Sequence, residues 1–187
     1  MGHKWDSSSF RTAYPCQAKK TLVVFVAFGF SGSWPRRRRG RRETARFVPV
    51  GNVSPGVAVG DFNHDGKLDM VVTNASDSSV SVLLGNGNGT FKPQTVIAVD
   101  GRPLAVVVGD FNGDGVLDIA ALTTDIFVLL GNGDGTFRVG GMFPVGQLPT
   151  SSTVADFNHD GKLDLAVAQG QGADVLLGNG DGTFKRR

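Results

Sequence analysis

Two short motifs alternate three times along the chain, and this repetition limits the fold more than any other feature of the sequence. An Asp-rich motif occupies residues 61–69, 110–118 and 156–164, with starts 49 and 46 residues apart. A second motif, Leu-Leu-Gly-Asn-Gly-x-Gly-Thr-Phe, occupies residues 83–91, 129–137 and 176–184. Self-similarity at a period of about 40–50 residues is typical of a solenoid or a propeller, in which each repeat is one supersecondary unit.

Each period contains four short apolar runs rich in β-branched residues, separated by Asn-Gly, Asp-Gly and Gly-Thr turns. In the first period these runs are residues 57–59, 70–73, 79–84 and 95–99. Such runs and turns are typical of antiparallel hairpins. Four strands per period predict an all-β fold of β-propeller-type, four-stranded antiparallel blades. Three repeats would form a partial propeller or half of an oligomeric one. We expect the glycine-rich turns at the other end of each blade from the Asp-rich loops.

Charge separates a leader from the repeats. Residues 1–46 carry 11 Lys or Arg against Asp6 and Glu43, whereas residues 47–187 carry 8 basic residues and 15 Asp. The formal net charge of +2 therefore comes from the leader, which we predict to be unstructured. The predicted divisions of the second part are a remnant of a fourth strand and three repeats, at residues 47–51, about 52–99, 100–147 and 148–187.

The leader contains a segment of signal-peptide character at residues 19–33. Two lysines precede a ten-residue apolar run at 21–30, and small residues follow it, which is the order of a secretory signal. This order predicts a secreted, cell-surface or periplasmic protein. The arginine cluster of residues 36–42 opposes export, because positive charge tends to stay on the cytoplasmic side. The alternatives to export are an unstructured leader and a start site set too far upstream. We expect the cluster to be a solvated charged linker and expect no nucleic-acid partner, with binding of nucleic acid or an anionic surface as the alternative. No transmembrane span is expected, since no apolar run reaches about 18 residues.

The Asp-rich loops contain the candidate metal-binding residues. Each offers side-chain oxygens at positions 1, 3, 5 and 9, a glycine at position 6 that permits a sharp turn with positive φ, and a main-chain carbonyl at position 7. Calcium takes six to eight oxygen ligands in flexible geometry, so the loops predict up to three Ca²⁺ sites. The predicted ligands are Asp61, Asn63, Asp65, Lys67 and Asp69, then Asp110, Asn112, Asp114, Val116 and Asp118, then Asp156, Asn158, Asp160, Lys162 and Asp164. Lys67, Val116 and Lys162 would contribute only their carbonyl oxygens.

Two other interpretations of these loops were considered. An EF-hand needs a Glu at position 12 and flanking helices, but Val72, Ala121 and Val167 stand there. The open alternative is a set of Asn- and Asp-rich turns that bind no metal. Against it, bare carboxylates about 4 Å apart repel by roughly 4 kcal/mol at an effective dielectric constant of 20. His64 and His159, at position 4, are expected to be solvated spacers.

The motifs at residues 59–69 and 83–91 resemble FG-GAP or VCBS-type repeats, which are related to the propeller blades of integrin α-subunits. The resemblance covers residues 47–187. It implies calcium-binding loops on one face of a propeller and an extracellular role in adhesion or ligand recognition. The sequence departs from the family in two ways. Ala155 replaces the glycine that precedes the other Asp-rich loops, and only three repeats are present where such propellers close with about seven.

We therefore predict a non-catalytic module in which calcium staples the loops and the partner is a protein or a glycan. No enzyme is expected, because residues 47–187 lack Glu and offer no Ser/His/Asp or Cys/His set. The alternative is a truncated or accessory propeller of a carbohydrate-active enzyme. The last repeat stops where its fourth strand would begin, so residues 46–51 are expected to complete that repeat in a neighbouring copy. A fragment of a longer propeller is the other explanation.

Overall fold

The structure is a computed structural model that describes residues 47–146 and 148–186. Over these residues all regular structure is β, in three four-stranded antiparallel sheets with one sheet per repeat. The first sheet contains β1 (Val57–Gly60), β2 (Asp69–Asn74), β3 (Ser79–Leu83) and β4 (Thr95–Ala98). The second contains β5 (Ala105–Gly109), β6 (Asp118–Leu122), β7 (Ile126–Gly131) and β8 (Phe137–Phe143). The third contains β9 (Ser151–Ala155), β10 (Asp164–Gln169), β11 (Gly172–Gly178) and β12 (Phe184–Arg186). The predicted all-β fold with four-stranded blades is confirmed.

The blades stand side by side in chain order. Within each blade the strands pair in sequence order, and the first strands of consecutive blades, β1, β5 and β9, are neighbours. The leader lies outside the described residues, and with it the signal-like segment 19–33 and the arginine cluster 36–42. Over the described part of the chain, no helix is long and apolar enough to cross a membrane.

The second strand of the middle blade is buried on both faces, which explains why every residue of β6 after Asp118 is apolar. All five residues of β6 are buried. Ile119 and Ala121 join the core shared with the first blade, whereas Ala120 and Leu122 join the core shared with the third. Because successive side chains of a strand point to opposite faces, one strand supplies both cores. The protein therefore has two cores, each lying between two consecutive sheets.

An aromatic contact joins each blade to the next. The ring of Phe62, at loop position 2 of the first blade, meets Phe137 of the second blade edge-on, with centroids 5.6 Å apart. Phe111 meets Phe184 of the third blade in the same way at 5.5 Å. A backbone hydrogen bond accompanies the ring contact, since the carbonyl oxygen of Phe62 accepts from the N–H of Gly135 at 3.1 Å. The two junctions are thus built alike.

The glycine-rich turns lie at the same edge of each sheet as the Asp-rich loops, so the expectation of opposite ends was wrong. The Asp-rich loop joins the first and second strands of a blade, and the glycine-rich turn joins the third and fourth. The second and third strands and one chain reversal separate these connections, so the chain crosses the antiparallel sheet twice and returns to the edge from which it started. The two sequence motifs therefore become neighbours in space.

The last repeat has a fourth strand, contrary to expectation. Strand β12 pairs antiparallel with β11 through Leu176, Leu177 and Gly178. Residues 47–51 form no strand, and Phe47 is 90% exposed. A fourth strand that begins directly after the Thr-Phe turn and pairs over three residues is too short to be recognised from its sequence.

Replacing Phe111 by Ala should lower the free energy of unfolding by about 3–5 kcal/mol, because the ring is buried between two blades and its loss leaves a cavity. The matched control is Val96→Ala on β4, where the side chain is 57% exposed and the change should stay within about 0.5 kcal/mol. Urea unfolding of the two variants measures the difference. Equal effects would contradict the role assigned to the junction.

Candidate functional site

The Asp-rich loops turn sharply at two positions. Position 6 is left-handed in all three loops, with φ of 78° at Gly66, 86° at Gly115 and 84° at Gly161, as predicted. Position 4 is left-handed as well, and this was not predicted. His64, Gly113 and His159 hold φ of 56°, 76° and 60° there. The sequence carried a signal for it, because a glycine stands at this position in the middle repeat.

The carboxylate at position 1 organises the loop from inside. In the middle loop, Oδ1 of Asp110 accepts hydrogen bonds from the N–H groups of Gly113 at 2.7 Å and Asp114 at 3.1 Å. Its Oδ2 accepts from Gly115 at 2.9 Å. Asp61 and Asp156 accept the equivalent bonds from positions 5 and 6 of their loops. The curl of each loop is therefore built around this residue.

Oxygens from positions 1 and 3 converge on one backbone N–H. The amide of Asp114 donates to Asp110 Oδ1 and also to Asn112 Oδ1 at 3.0 Å, and the other two loops repeat this pair. Asp114 in turn accepts from the N–H of Val116 at 2.8 Å. The structure thus brings predicted ligand positions 1, 3 and 5 together along one short, tightly turned segment.

The carboxylate at position 9 is placed differently, because it is completely buried. Oδ2 of Asp118 accepts from the N–H of Phe111 at 2.8 Å, and Oδ1 accepts from the N–H of Gly131 at 2.8 Å. Asp69 and Asp164 make the same two bonds in their own blades. This side chain therefore ties the Asp-rich loop to the glycine-rich turn. Each of its oxygens keeps lone-pair capacity beyond the one N–H that it accepts.

Gly131 belongs to the site, and sequence reasoning assigned it only to a turn. A β-carbon at Gly131 would collide with the carbonyl oxygen of Leu117, and Gly85 and Gly178 stand equally close to the carbonyl oxygens of Leu68 and Leu163. The position thus requires a glycine, because the backbone must approach closely enough to donate to the buried carboxylate. The Leu-Leu-Gly sequence in all three repeats was the available signal.

The side chains at position 7 lie over the glycine-rich turns. Lys67 passes close to Gly87, Lys162 passes close to Gly180, and Val116 takes the same place in the middle blade. The Nζ of Lys67 also forms an ion pair with Asp65 Oδ2 at 3.1 Å. The middle loop, with Val116, has no such cation of its own.

Burial raises the pKa of Asp118 from its ordinary value of 3.8 to about 6. Hydrogen bonds from the backbone of Gly131 and Phe111 oppose this effect, and the negative charges of Asp114 and Asp110 add to it. The exposed carboxylates behave in the opposite way. A backbone N–H from Lys67 holds the pKa of Asp65 below its ordinary value, and Lys162 does the same for Asp160. The middle loop therefore concentrates negative charge around a buried acid.

The donor set of each loop consists of oxygens, which suits a hard cation such as Ca²⁺. Among residues 47–146 and 148–186, no three His, Cys, Asp or Glu side chains form a group that could hold a metal ion by themselves. A cation in a loop would consequently need the Asn oxygen at position 3 and main-chain carbonyls in addition to carboxylates. The predicted ligand set contains both. His64 and His159 are exposed, which agrees with their expected role as spacers.

Comparison with known proteins identifies relatives of this arrangement. The family model described as FG-GAP-like repeat matches residues 61–121 and 123–167. Among solved structures, a lectin from Agrocybe aegerita, described by its specific recognition of non-reducing terminal N-acetylglucosamine, is 29% identical with a TM-score of 0.51. That match covers 68% of this chain and 36% of the lectin. The V. cholerae biofilm matrix protein Bap1 is 21% identical with a TM-score of 0.35, over 71% of this chain and 28% of Bap1. A search of curated proteins found no match.

Replacing Asp118 by Asn should destabilise the protein by about 2–3 kcal/mol. An amide has a single oxygen acceptor, so one of the two buried N–H donors loses its partner. The matched control is Asp134→Asn, since Asn88 fills the equivalent turn position in the first repeat and accepts the same bonds from its Thr. Chemical denaturation should show the loss only for D118N. A similar loss in D134N would contradict the assignment.

The carboxyl group of Asp118 should titrate near pH 6 in metal-free buffer, whereas that of Asp134, whose pKa is lowered chiefly by the Thr136 hydroxyl, should titrate below 3.8. Because the pKa is raised in the folded state, protonation of Asp118 adds to stability, and this proton-linked contribution is fully present below about pH 4. It is lost as pH rises through about 6, whereas the two backbone N–H groups still donate to the carboxylate. Carbon-13 NMR of the two carboxyl groups makes the measurement. A midpoint near 4 for Asp118 would contradict the prediction.

Proposed function

Because the chain belongs to the FG-GAP-like repeat family, we propose that its blades form a non-catalytic recognition module in which calcium staples the Asp-rich loops. The observation that carries the proposal is the shared construction of the three loops. In each of them, oxygens from positions 1 and 3 converge on one N–H, and a buried carboxylate joins the loop to its neighbouring turn.

In the proposed site, each calcium takes side-chain oxygens from positions 1, 3, 5 and 9 and the carbonyl oxygen from position 7. For the middle loop these residues are Asp110, Asn112, Asp114, Val116 and Asp118. The electrostatics of this loop favour a cation, since residues 110–118 carry three carboxylates and the charges of Asp110 and Asp114 raise the pKa of Asp118. A bound cation would reverse that effect, because opposite charge favours the ionised carboxylate.

The gain in stability expected from calcium is substantial for a chain of this size. A dissociation constant of about 10⁻⁴ M is typical of extracellular modules. At about 1 mM calcium, a site of that affinity adds roughly 1.4 kcal/mol, and three sites add about 4 kcal/mol. This is comparable to much of the net stability of a small domain. Such weak sites suit a secreted protein, as the signal-like segment 19–33 also suggests.

Calcium at about 1 mM should raise the melting temperature by about 10–15 °C over that in chelator, and magnesium should raise it less, because its octahedral geometry fits these loops poorly. The variant Asp114→Ala should lose about a third of the calcium effect. Asp134→Asn, in the turn of the same blade, should keep all of it. Scanning calorimetry measures these shifts. An unchanged melting temperature in calcium would refute the proposal that calcium stabilises the Asp-rich loops.

We further propose a glycan as the ligand. The support is the likeness to the A. aegerita lectin, at 29% identity over 68% of this chain. The chain spans only 36% of that lectin, so the ligand is proposed by class rather than by name. The family is compatible with a protein ligand as well, which is the competing outcome.

Binding to an array of immobilised glycans, including chains that end in N-acetylglucosamine, should be detectable in calcium and lost in chelator. The control is the Asp134→Asn variant, which keeps the proposed calcium ligands and should bind as the unchanged protein does. Absence of binding to any glycan would refute the ligand class and leave the calcium proposal to the melting experiment.

A further inference from the structure

Each internal junction has two halves, one surface from each of two neighbouring blades. In the part of the chain that the structure describes, the first and third blades each carry one such surface with no blade against it. The first half is the position-2 phenylalanine of the preceding blade. Phe62 is 1% exposed and Phe111 is 2% exposed, because the next blade covers them. Phe157, their counterpart in the third blade, is 46% exposed. The third blade therefore presents an aromatic ring that is uncovered within the described structure.

The second half of the junction lies on the first blade as a cleft of about 520 Å³. Its lining includes Leu83, Gly89 and Phe91. These residues correspond by repeat position to Leu129, Gly135 and Phe137, which surround Phe62 at the first internal junction. The cleft thus contains the same residue types that surround a position-2 phenylalanine at the internal junction.

Leu68 extends the same surface at position 8. At the internal junctions, Leu117 packs over Gly60 of the preceding blade, and Leu163 packs over Gly109. Leu68 has no such cover and is 57% exposed. Its counterpart surface on the third blade carries Ala155 in place of glycine. A methyl group at Gly60 would stand 2.5 Å from Leu117 Cδ1, the end of a flexible side chain, so a leucine rotamer change accommodates Ala155.

The outer edge of the third blade is only half covered. Strand β8 pairs with β7 from Ile126 to Gly131, but β12 pairs with β11 only from Leu176 to Gly178. Over the described residues, the part of β11 from 172 to 175 has no strand on its outer side. This edge offers unpaired main-chain groups to another segment of chain.

Residues 47–48 match the missing half strand. The N–H of Gly51 donates to Asn74 Oδ1 at 3.0 Å, just as the N–H of Gly146 donates to Asp174 Oδ2 at 2.7 Å. Gly51 and Gly146 are thus equivalent, which makes residues 47–48 equivalent to 142–143, the end of β8. Their place in the fold is beside the third strand of a blade that precedes the first one.

We propose that a second copy of this chain supplies that blade. Phe157 of each copy enters the cleft around Phe91 of the other, and residues 47–48 continue the partial fourth strand of the other copy's third blade. Two such junctions related by a twofold axis close six blades into a ring, a blade number that propellers commonly have. Apart from Ala155, which replaces the glycine of the internal junctions, Phe157, Leu68, Leu83, Gly89 and Phe91 match the residues found there. The surface thus continues an interface already present twice in the chain.

The test is the mass of the full chain in calcium, measured by size exclusion with light scattering. The expected mass is twice that of the 19.7 kDa chain. Phe157→Gln and Leu68→Gln should each weaken dimerisation at least tenfold. The control Met142→Gln changes a side chain of similar exposure, 47%, on the outer strand of the middle blade, and should dimerise normally. Circular dichroism should show all three variants folded, since the substituted side chains are exposed.

Mixing the two weakened variants separates this arrangement from other dimers. The third blade of the Leu68→Gln copy and the first blade of the Phe157→Gln copy both keep their native residues. The mixture should therefore recover dimer that neither variant forms alone. A monomeric wild-type chain would overturn the proposal, and so would a dimer that withstands Phe157→Gln or a mixture that recovers nothing. A ladder of larger species would overturn closure into a ring.

Discussion

Each blade depends on one buried carboxylate that two loops share. A charged group without exposure to water is tolerated only where donors satisfy it, and both oxygens of Asp118 receive backbone N–H groups, one from each loop. Charge-assisted bonds of this kind are roughly twice as strong as neutral ones. The two motifs that alternate along the sequence are therefore two sides of a single contact. This explains why they recur in phase, since neither loop keeps its position without the other.

The same loop also reaches the neighbouring blade, so its geometry controls two levels of structure. Position 9 fixes the loop to its own sheet, while position 2 inserts a phenylalanine into the next one. A cation bound between positions 1 and 9 would order the segment from which that ring projects. Metal binding, if it occurs as proposed, would thus be coupled to the packing of blades through one short stretch of backbone. In the middle blade this coupling would act on the third blade through the ring of Phe111.

Most of the architecture follows from the sequence because the period and turn residues specify it locally. The glycine at position 6 predicted a left-handed turn, and Gly115 adopts one. The position of Asp118 was harder to foresee. Spacing alone predicts one more ligand among the loop oxygens, whereas in the structure Asp118 is buried and accepts a hydrogen bond from Gly131, 13 residues further along the chain. The left-handed φ of His64 was hidden for a different reason, since a positive φ is uncommon for any residue other than glycine and only the aligned Gly113 reveals it.

The division of every junction between neighbouring repeats affects how such a chain changes in evolution. Phe111 needs Phe184, and Phe62 needs Phe137, but each ring comes with the repeat that carries it. Duplication or loss of one whole repeat in the gene therefore leaves matched contacts on either side of the change. An insertion of half a repeat would bring together two like halves and leave both uncovered. This fold can therefore gain or lose one complete repeat at a time, wherever within the repeat the breakpoints in the gene fall.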